Sequence, residues 1–143
     1  MQRENDMTQS YAGGCACGAV RYQISGEPAV MLDCQCRQCQ RDSGTGHQSH
    51  LTFVAAEVKV EGEVSHWQST GDGGTVKQRA FCPTCGSHVH LTFPAMPDVF
   101  IVPPASLDDP SRYKPQLVSW TAAGQAWDHL DPALPRFDKM PPR

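Results

Sequence analysis

Short stretches in which apolar and polar residues alternate recur along the chain, each closed off by glycine, proline or acidic residues. Ala19 to Ser25 sets Val20, Tyr22 and Ile24 against Arg21, Gln23 and Ser25, the period of two that gives a strand one buried and one wet face. Gly26-Glu27-Pro28 turns the chain, and Val30-Met31-Leu32 runs directly into Cys34. His50 to Val54, Glu57 to Glu61 and, more weakly, Ser65 to Ser69 predict further strands. Gly71-Asp72-Gly73-Gly74 predicts a turn, and Thr75 to Phe81 the strand beyond it. Val89, Leu91 and Phe93 then alternate with His88, His90 and Thr92, and Val99 to Val102 is a short apolar run. Gln116 to Trp120 is the last candidate strand, after the breaks at Pro103-Pro104 and Asp108-Asp109-Pro110. The pattern predicts a mainly β fold with little helix.

A length of 143 residues suits one domain, which at this size buries roughly 70% of the surface its unfolded chain exposes. Gly 12 and Pro 12 are high for the length and favour short strands and turns. A net charge of −3 supplies no field to draw a phosphate backbone, so nucleic acid is not an expected partner. Met1 to Ser10 is polar and lacks the apolar stretch of a signal peptide, and nowhere do 18 apolar residues run together. The chain therefore reads as cytoplasmic, with no membrane partner. Trp67, Trp120 and Trp127 are expected to fill the core or close a cleft, and Trp127, Leu134 and Phe137 to pin the proline-rich tail to the body. Glu57 to Glu61 reads as a strand with one solvated charged face.

Seven cysteines change the picture, because they fall into three tight clusters: Cys15/Cys17, Cys34/Cys36/Cys39 and Cys82/Cys85. In a reducing compartment an odd number of closely spaced thiols points to metal or redox chemistry and away from a disulfide framework. Four thiolates close a tetrahedral zinc, whereas three leave a position for water or substrate. Cys82-Pro83-Thr84-Cys85-Gly86 has the form of a zinc knuckle, in which Gly86 can take a positive φ while the turn's amides point at the sulfurs. Cys15 and Cys17, two apart on extended backbone, project to one face. Cys34-Gln35-Cys36-Arg37-Gln38-Cys39 packs three ligands into six residues. Spacing alone leaves the partnering open, since Cys34 and Cys36 could also share an ion with Cys82 and Cys85. The pairs His47/His50 and His88/His90 could present two imidazoles together, but with thiols enough they read as packing or surface residues.

Gly13-Gly14-Cys15-Ala16-Cys17-Gly18-Ala19-Val20-Arg21-Tyr22, then the three-cysteine cluster with Ser43-Gly44, then Phe81-Cys82-Pro83-Thr84-Cys85-Gly86, resembles the glutathione-dependent formaldehyde-activating enzyme family, which includes centromere protein V. Leu107-Asp108-Asp109-Pro110 and Leu134-Pro135-Arg136-Phe137 also fit. The resemblance implies a Mss4-like arrangement of small antiparallel sheets stapled by zinc. It implies one such domain over residues 13–137, preceded by a polar segment at 1–12 and followed by a tail at 138–143. It assigns Cys15, Cys17, Cys82 and Cys85 to a structural zinc, and Cys34, Cys36 and Cys39 to a catalytic zinc that is the more easily lost of the two.

The activity implied is that of a zinc-dependent carbon–sulfur lyase, S-(hydroxymethyl)glutathione synthase, which reversibly adds glutathione's thiol to formaldehyde. The expected partners are thus a small thiol and a small aldehyde. The chain departs from the family at Gln35, where members commonly carry histidine; Gln35 cannot titrate but can hydrogen-bond a ligand. Three thiolates give a zinc site a net charge of about −1, so the nearby cations Arg37 and Arg41 are candidate substrate contacts. Ser43 could hydrogen-bond the ligand or cap a short helix. Two other readings compete: a non-enzymatic zinc-binding β module that binds a protein partner, and a redox switch in which the three-cysteine cluster oxidises and releases its metal.

Overall fold

The computed structural model describes residues 10–141; most of the expected polar N-terminal segment and the last two residues of the tail lie outside them. Alternation builds nearly every strand where the pattern placed it. Strands β1 (Ser10–Gly14), β2 (Arg21–Ser25) and β5 (Glu57–Glu61) form a three-stranded antiparallel sheet in the order β1-β2-β5. The second sheet has seven strands, in the order β10-β3-β4-β9-β8-β7-β6. These are β3 (Val30–Cys34), β4 (Gln48–Val54), β6 (Ser65–Thr70), β7 (Val76–Phe81), β8 (His88–Thr92), β9 (Val99–Val102) and β10 (Leu117–Ser119). Its pairings are antiparallel except that of β10 with β3. The fold is mainly β, as the sequence predicts.

The larger core is shared by both sheets. Val20, Tyr22 and Ile24 meet Leu51, Phe53, Val89 and Val102 there, with Tyr11 set edge-on to Phe53 at 5.3 Å. Cys15 and Cys82 belong to the same cluster. A smaller cluster of Leu32, Cys34 and Cys39, flanked by Val30, Leu117 and Trp120, encloses the three-cysteine segment.

Three features depart from the expectations. β1, over Ser10–Gly14, is a strand that the alternation does not predict. Its two glycines give no periodic signal, and it is a strand because β2 pairs with it along its whole length. A Cβ at Gly13 would stand 2.5 Å from the Tyr22 hydroxyl oxygen, so only glycine lets the two strands close up. Secondly, a helix α1 (Arg37–Ser43), absent from the elements that the pattern predicts, begins inside the three-cysteine cluster. Thirdly, Trp67 and Trp127 are exposed, at 48% and 60%, and only Trp120 of the three packs on a core cluster. The tail is held instead by backbone hydrogen bonds: Phe137 N–H donates to Val118 O, and Val118 N–H to Pro135 O, so residues 135–139 run beside β10. No helix among the described residues is long and apolar enough to cross a membrane.

The fold buries imidazoles. Burial pushes His88 and His90 down to about 4 from an ordinary 6.5, and His90 packs against the Phe100 ring at 4.7 Å between centroids. Between those two values the unfolded chain binds more protons than the folded one, so stability is full above the ordinary value and drains as pH falls toward 4. Each buried imidazole contributes on the order of 3 kcal/mol to that loss. We expect the unfolding midpoint of the metal-loaded protein to drop between neutrality and pH ~4.5, and His90→Leu to flatten part of that slope, read by thermal melts with metal content followed in parallel.

Candidate metal centres

The seven thiols come together as four and three. The ligand atoms of Cys15, Cys17, Cys82 and Cys85 all lie within 4.8 Å of one another, as do those of Cys34, Cys36 and Cys39. The alternative sharing of Cys34 and Cys36 with Cys82 and Cys85 is not what the fold builds. All seven are free thiols.

The four-cysteine centre joins the turn after β1 to the turn after β7. Cys17 Sγ lies 3.6 Å from Cys15 Sγ and 3.7 Å from Cys82 Sγ, across 65 residues of chain. The turns aim amides at sulfur: Val20 N–H donates to Cys15 Sγ at 3.2 Å and Thr84 N–H to Cys82 Sγ at 3.4 Å. Gly86 takes the expected positive φ, 77°, and its N–H closes the knuckle on Cys82 O at 2.8 Å. Cys15 and Cys82 are buried, whereas Cys17 and Cys85 are exposed. Hydrogen bonds from the Ser87 hydroxyl and amide bring the Cys85 thiol down to about 5, readying it to bind as thiolate.

The three-cysteine centre is made by a strand end and a helix start. Cys34 ends β3, Cys36 is the N-cap of α1, and Cys39 lies in its first turn, with Cys39 N–H donating to Cys36 Sγ at 3.3 Å. Helix caps are usually Ser, Thr, Asp or Asn, so a cysteine cap carries no sequence signal for the helix; Gly44 closes its other end at φ 80°. Thiol hydrogen bonds from Cys34 and then Cys39 pull Cys36 down to about 2, and Lys77 on β7 adds a smaller pull. Contacts with Cys34 and Cys36 push Cys39 far up. One thiolate therefore forms readily while its neighbours resist, and a soft divalent cation removes that conflict by taking all three. The donor sets of both centres fit zinc.

Around this centre lie the polar residues named from the sequence, together with Asp33 and Asp128, which the sequence did not single out. His50, on β4, puts Nε2 3.5 Å from Cys39 Sγ; burial holds it down to about 3, so it stays neutral. Asp33, next to Cys34, is 5% exposed in an otherwise apolar strand. Gln35 is buried, and its side-chain amide donates to Asp128 Oδ2 at 3.1 Å. The exposed Arg37 donates to Gln40 Oε1 at 2.7 Å, and Arg41 is exposed beyond it. Ser43 Oγ donates to Gln40 O and accepts from Thr45 N–H, so it stitches the helix end. Asp128 lies in a stretch without periodic pattern, and only its chain-distant partners, Gln35 and His47, mark it out.

A cavity of about 730 Å³ is bordered by Cys15 of the four-cysteine centre and by Ser87, Asp42, Ser43, His47 and Gln48; none of Cys34, Cys36 and Cys39 lines it. Arg21 on its wall is engaged bidentately by Asp108.

The model of the glutathione-dependent formaldehyde-activating enzyme family matches residues 10–123, and the chain belongs to that family. A Halomonas elongata protein named "Putative glutathione-dependent formaldehyde-activating enzyme" is 32% identical over 108 residues, covering 72% of this chain and 68% of the relative. A Rhodobacter sphaeroides protein of known crystal structure is similar with a TM-score of 0.53 and 25% identity, over 68% of this chain and 87% of that one.

The two centres differ in what their loss costs. Zinc binding by small domains is worth about 10–16 kcal/mol, as much as the whole net stability of a typical domain. We expect Cys82→Ser to abolish cooperative unfolding or lower its midpoint by tens of degrees. Cys36→Ser, in the half-buried cap position, should leave the melt cooperative while reducing bound metal; calorimetry with metal analysis on both variants checks this.

Proposed function

We propose that the protein is a zinc-dependent carbon–sulfur lyase that reversibly adds a glutathione-type thiol to formaldehyde. The observation that carries this reading is the convergence of Cys34, Cys36 and Cys39 into a three-thiol centre, one ligand short of closure, in a chain of this family. On this reading Cys15, Cys17, Cys82 and Cys85 hold a structural zinc, and Cys34, Cys36 and Cys39 hold a catalytic one. Held by Cys34, Cys36 and Cys39, a zinc ion would supply the Lewis acidity that keeps a substrate thiol deprotonated.

The chain's own residues supply the rest. The apolar surround of Leu32, Val30, Leu117 and Trp120 keeps bulk water from the sulfurs, which strengthens every charge interaction inside. Neutral His50 is placed to donate Nε2–H to the Cys39 thiolate, spreading its charge. Lys77 offsets the negative charge of the three sulfurs from β7, on the side of Cys36. The cavity bordered by Ser43 and His47 is of a size that takes a tripeptide thiol. Gln35 is committed to Asp128 and carries no transferable proton.

Magnetisation-exchange NMR of glutathione and formaldehyde tests the reading against the uncatalysed exchange. We expect the zinc-loaded protein to accelerate exchange and Cys36→Ser to return it to background. No acceleration with both centres loaded would overturn it.

A further inference from the structure

Apart from the sulfur clusters, the described residues hold an imidazole set between two buried carboxylates. His47 precedes Gln48, whose backbone is paired with Cys34, and its ring lines the cavity. Nδ1 lies 3.0 and 3.1 Å from the two carboxylate oxygens of Asp128. A carboxylate can only accept, so Nδ1 carries the ring proton. Nε2 faces Asp33 Oδ1 at 4.0 Å, beyond hydrogen-bond reach, and that oxygen already accepts from the Ser49 and Tyr113 hydroxyls at 2.6 Å each. The Asp33 and Asp128 side chains are each 7% exposed, and that of His47 is 23% exposed.

The arrangement is built into the backbone. A Cβ at Gly46 would fall 2.4 Å from Asp128, and one at Gly124 would fall 2.7 Å from Gln35 Oε1, so two glycines clear the space that the chain of contacts occupies. Through Asp128, Gln35, which stands between Cys34 and Cys36, is joined to His47. The residue that takes the place of the family's usual histidine thus anchors the carboxylate that orients another imidazole.

We propose that His47 is the proton-transfer residue of thiol addition, with Asp128 and Gln35 as positioning residues; this rests on the lyase reading above. In the forward direction the substrate S–H bond breaks and its proton passes to His47 Nε2, while the sulfur electron pair forms the C–S bond to formaldehyde. The carbonyl π pair moves onto oxygen, which takes the proton back from Nε2 to become the hydroxyl. No further reactant is needed. The imidazolium formed in between is held by Asp128 and faced by Asp33, and Asp128 fixes the tautomer that leaves Nε2 unprotonated and able to accept.

Two measurements on the zinc-loaded protein test this. Imidazole nitrogen NMR should find neutral His47 protonated at Nδ1 in the wild type, and Asp128→Asn should shift it toward the Nε2–H form; an Nε2–H ring in the wild type would overturn the proposal without any assay of activity. In the exchange assay, His47→Gln keeps a donor toward Asp128 but cannot carry the proton. It should lower the acceleration by roughly a hundredfold or to background, with the melt and metal content unchanged, and added imidazole should restore part of the rate in His47→Ala. Wild-type acceleration in folded, fully loaded His47→Gln overturns the proposal and leaves the lyase reading standing, whereas a wild type that accelerates nothing overturns both.

Discussion

The four-thiol junction is the constraint on which the rest of the structure depends. It ties the turn between β1 and β2 to the knuckle between β7 and β8, sulfur to sulfur across 65 residues, and so fixes the small sheet over the large one. Cys15 and Cys82 are part of the core that the two sheets share, so a metal held by the four thiols would share its interface with the hydrophobic packing. A domain whose strands are mostly four to six residues long has little other long-range stiffness, and closing so long a loop covalently or by metal constrains the unfolded chain strongly.

With that interface set, the large sheet separates two kinds of polar burial. Burial keeps His50, His88 and His90 neutral, at a cost that appears only in acid. Asp33 and Asp128 each have hydrogen-bond partners: hydroxyls of Ser49 and Tyr113 on the one, Gln35 and His47 on the other. The three-thiol centre sits between these, its sulfurs too close for all to ionise without a cation. Its electrostatics are therefore unbalanced in a way that metal and substrate can complete.

The strands and cysteines were legible in the sequence because each signal is local. A period of two survives in five residues, as in Arg21–Ser25, and the knuckle at Cys82–Gly86 carries its geometry within its own turn. β1 escaped because glycines serve close approach to Tyr22, a contact made with another strand. Helix α1 escaped because its cap is a cysteine, and Trp67 and Trp127, expected to fill the core or close a cleft, are exposed. The aromatic prior is strong for area and weak for position.

The sequence by itself determined the class of fold, the thiols available for metal and, through their order and spacing, the family. Only the tertiary structure decided which thiols meet, because ligand sets are made by pairing of distant turns and spacing within a cluster is indifferent to the partner. It alone also gathered Asp33, Gln35, His47 and Asp128, which lie near a strand end, between two cysteines, in a loop and in the tail. Each is an ordinary polar residue where it stands in the chain. Their chemistry arises from being buried together, where desolvation makes hydrogen bonds and charge pairing obligatory.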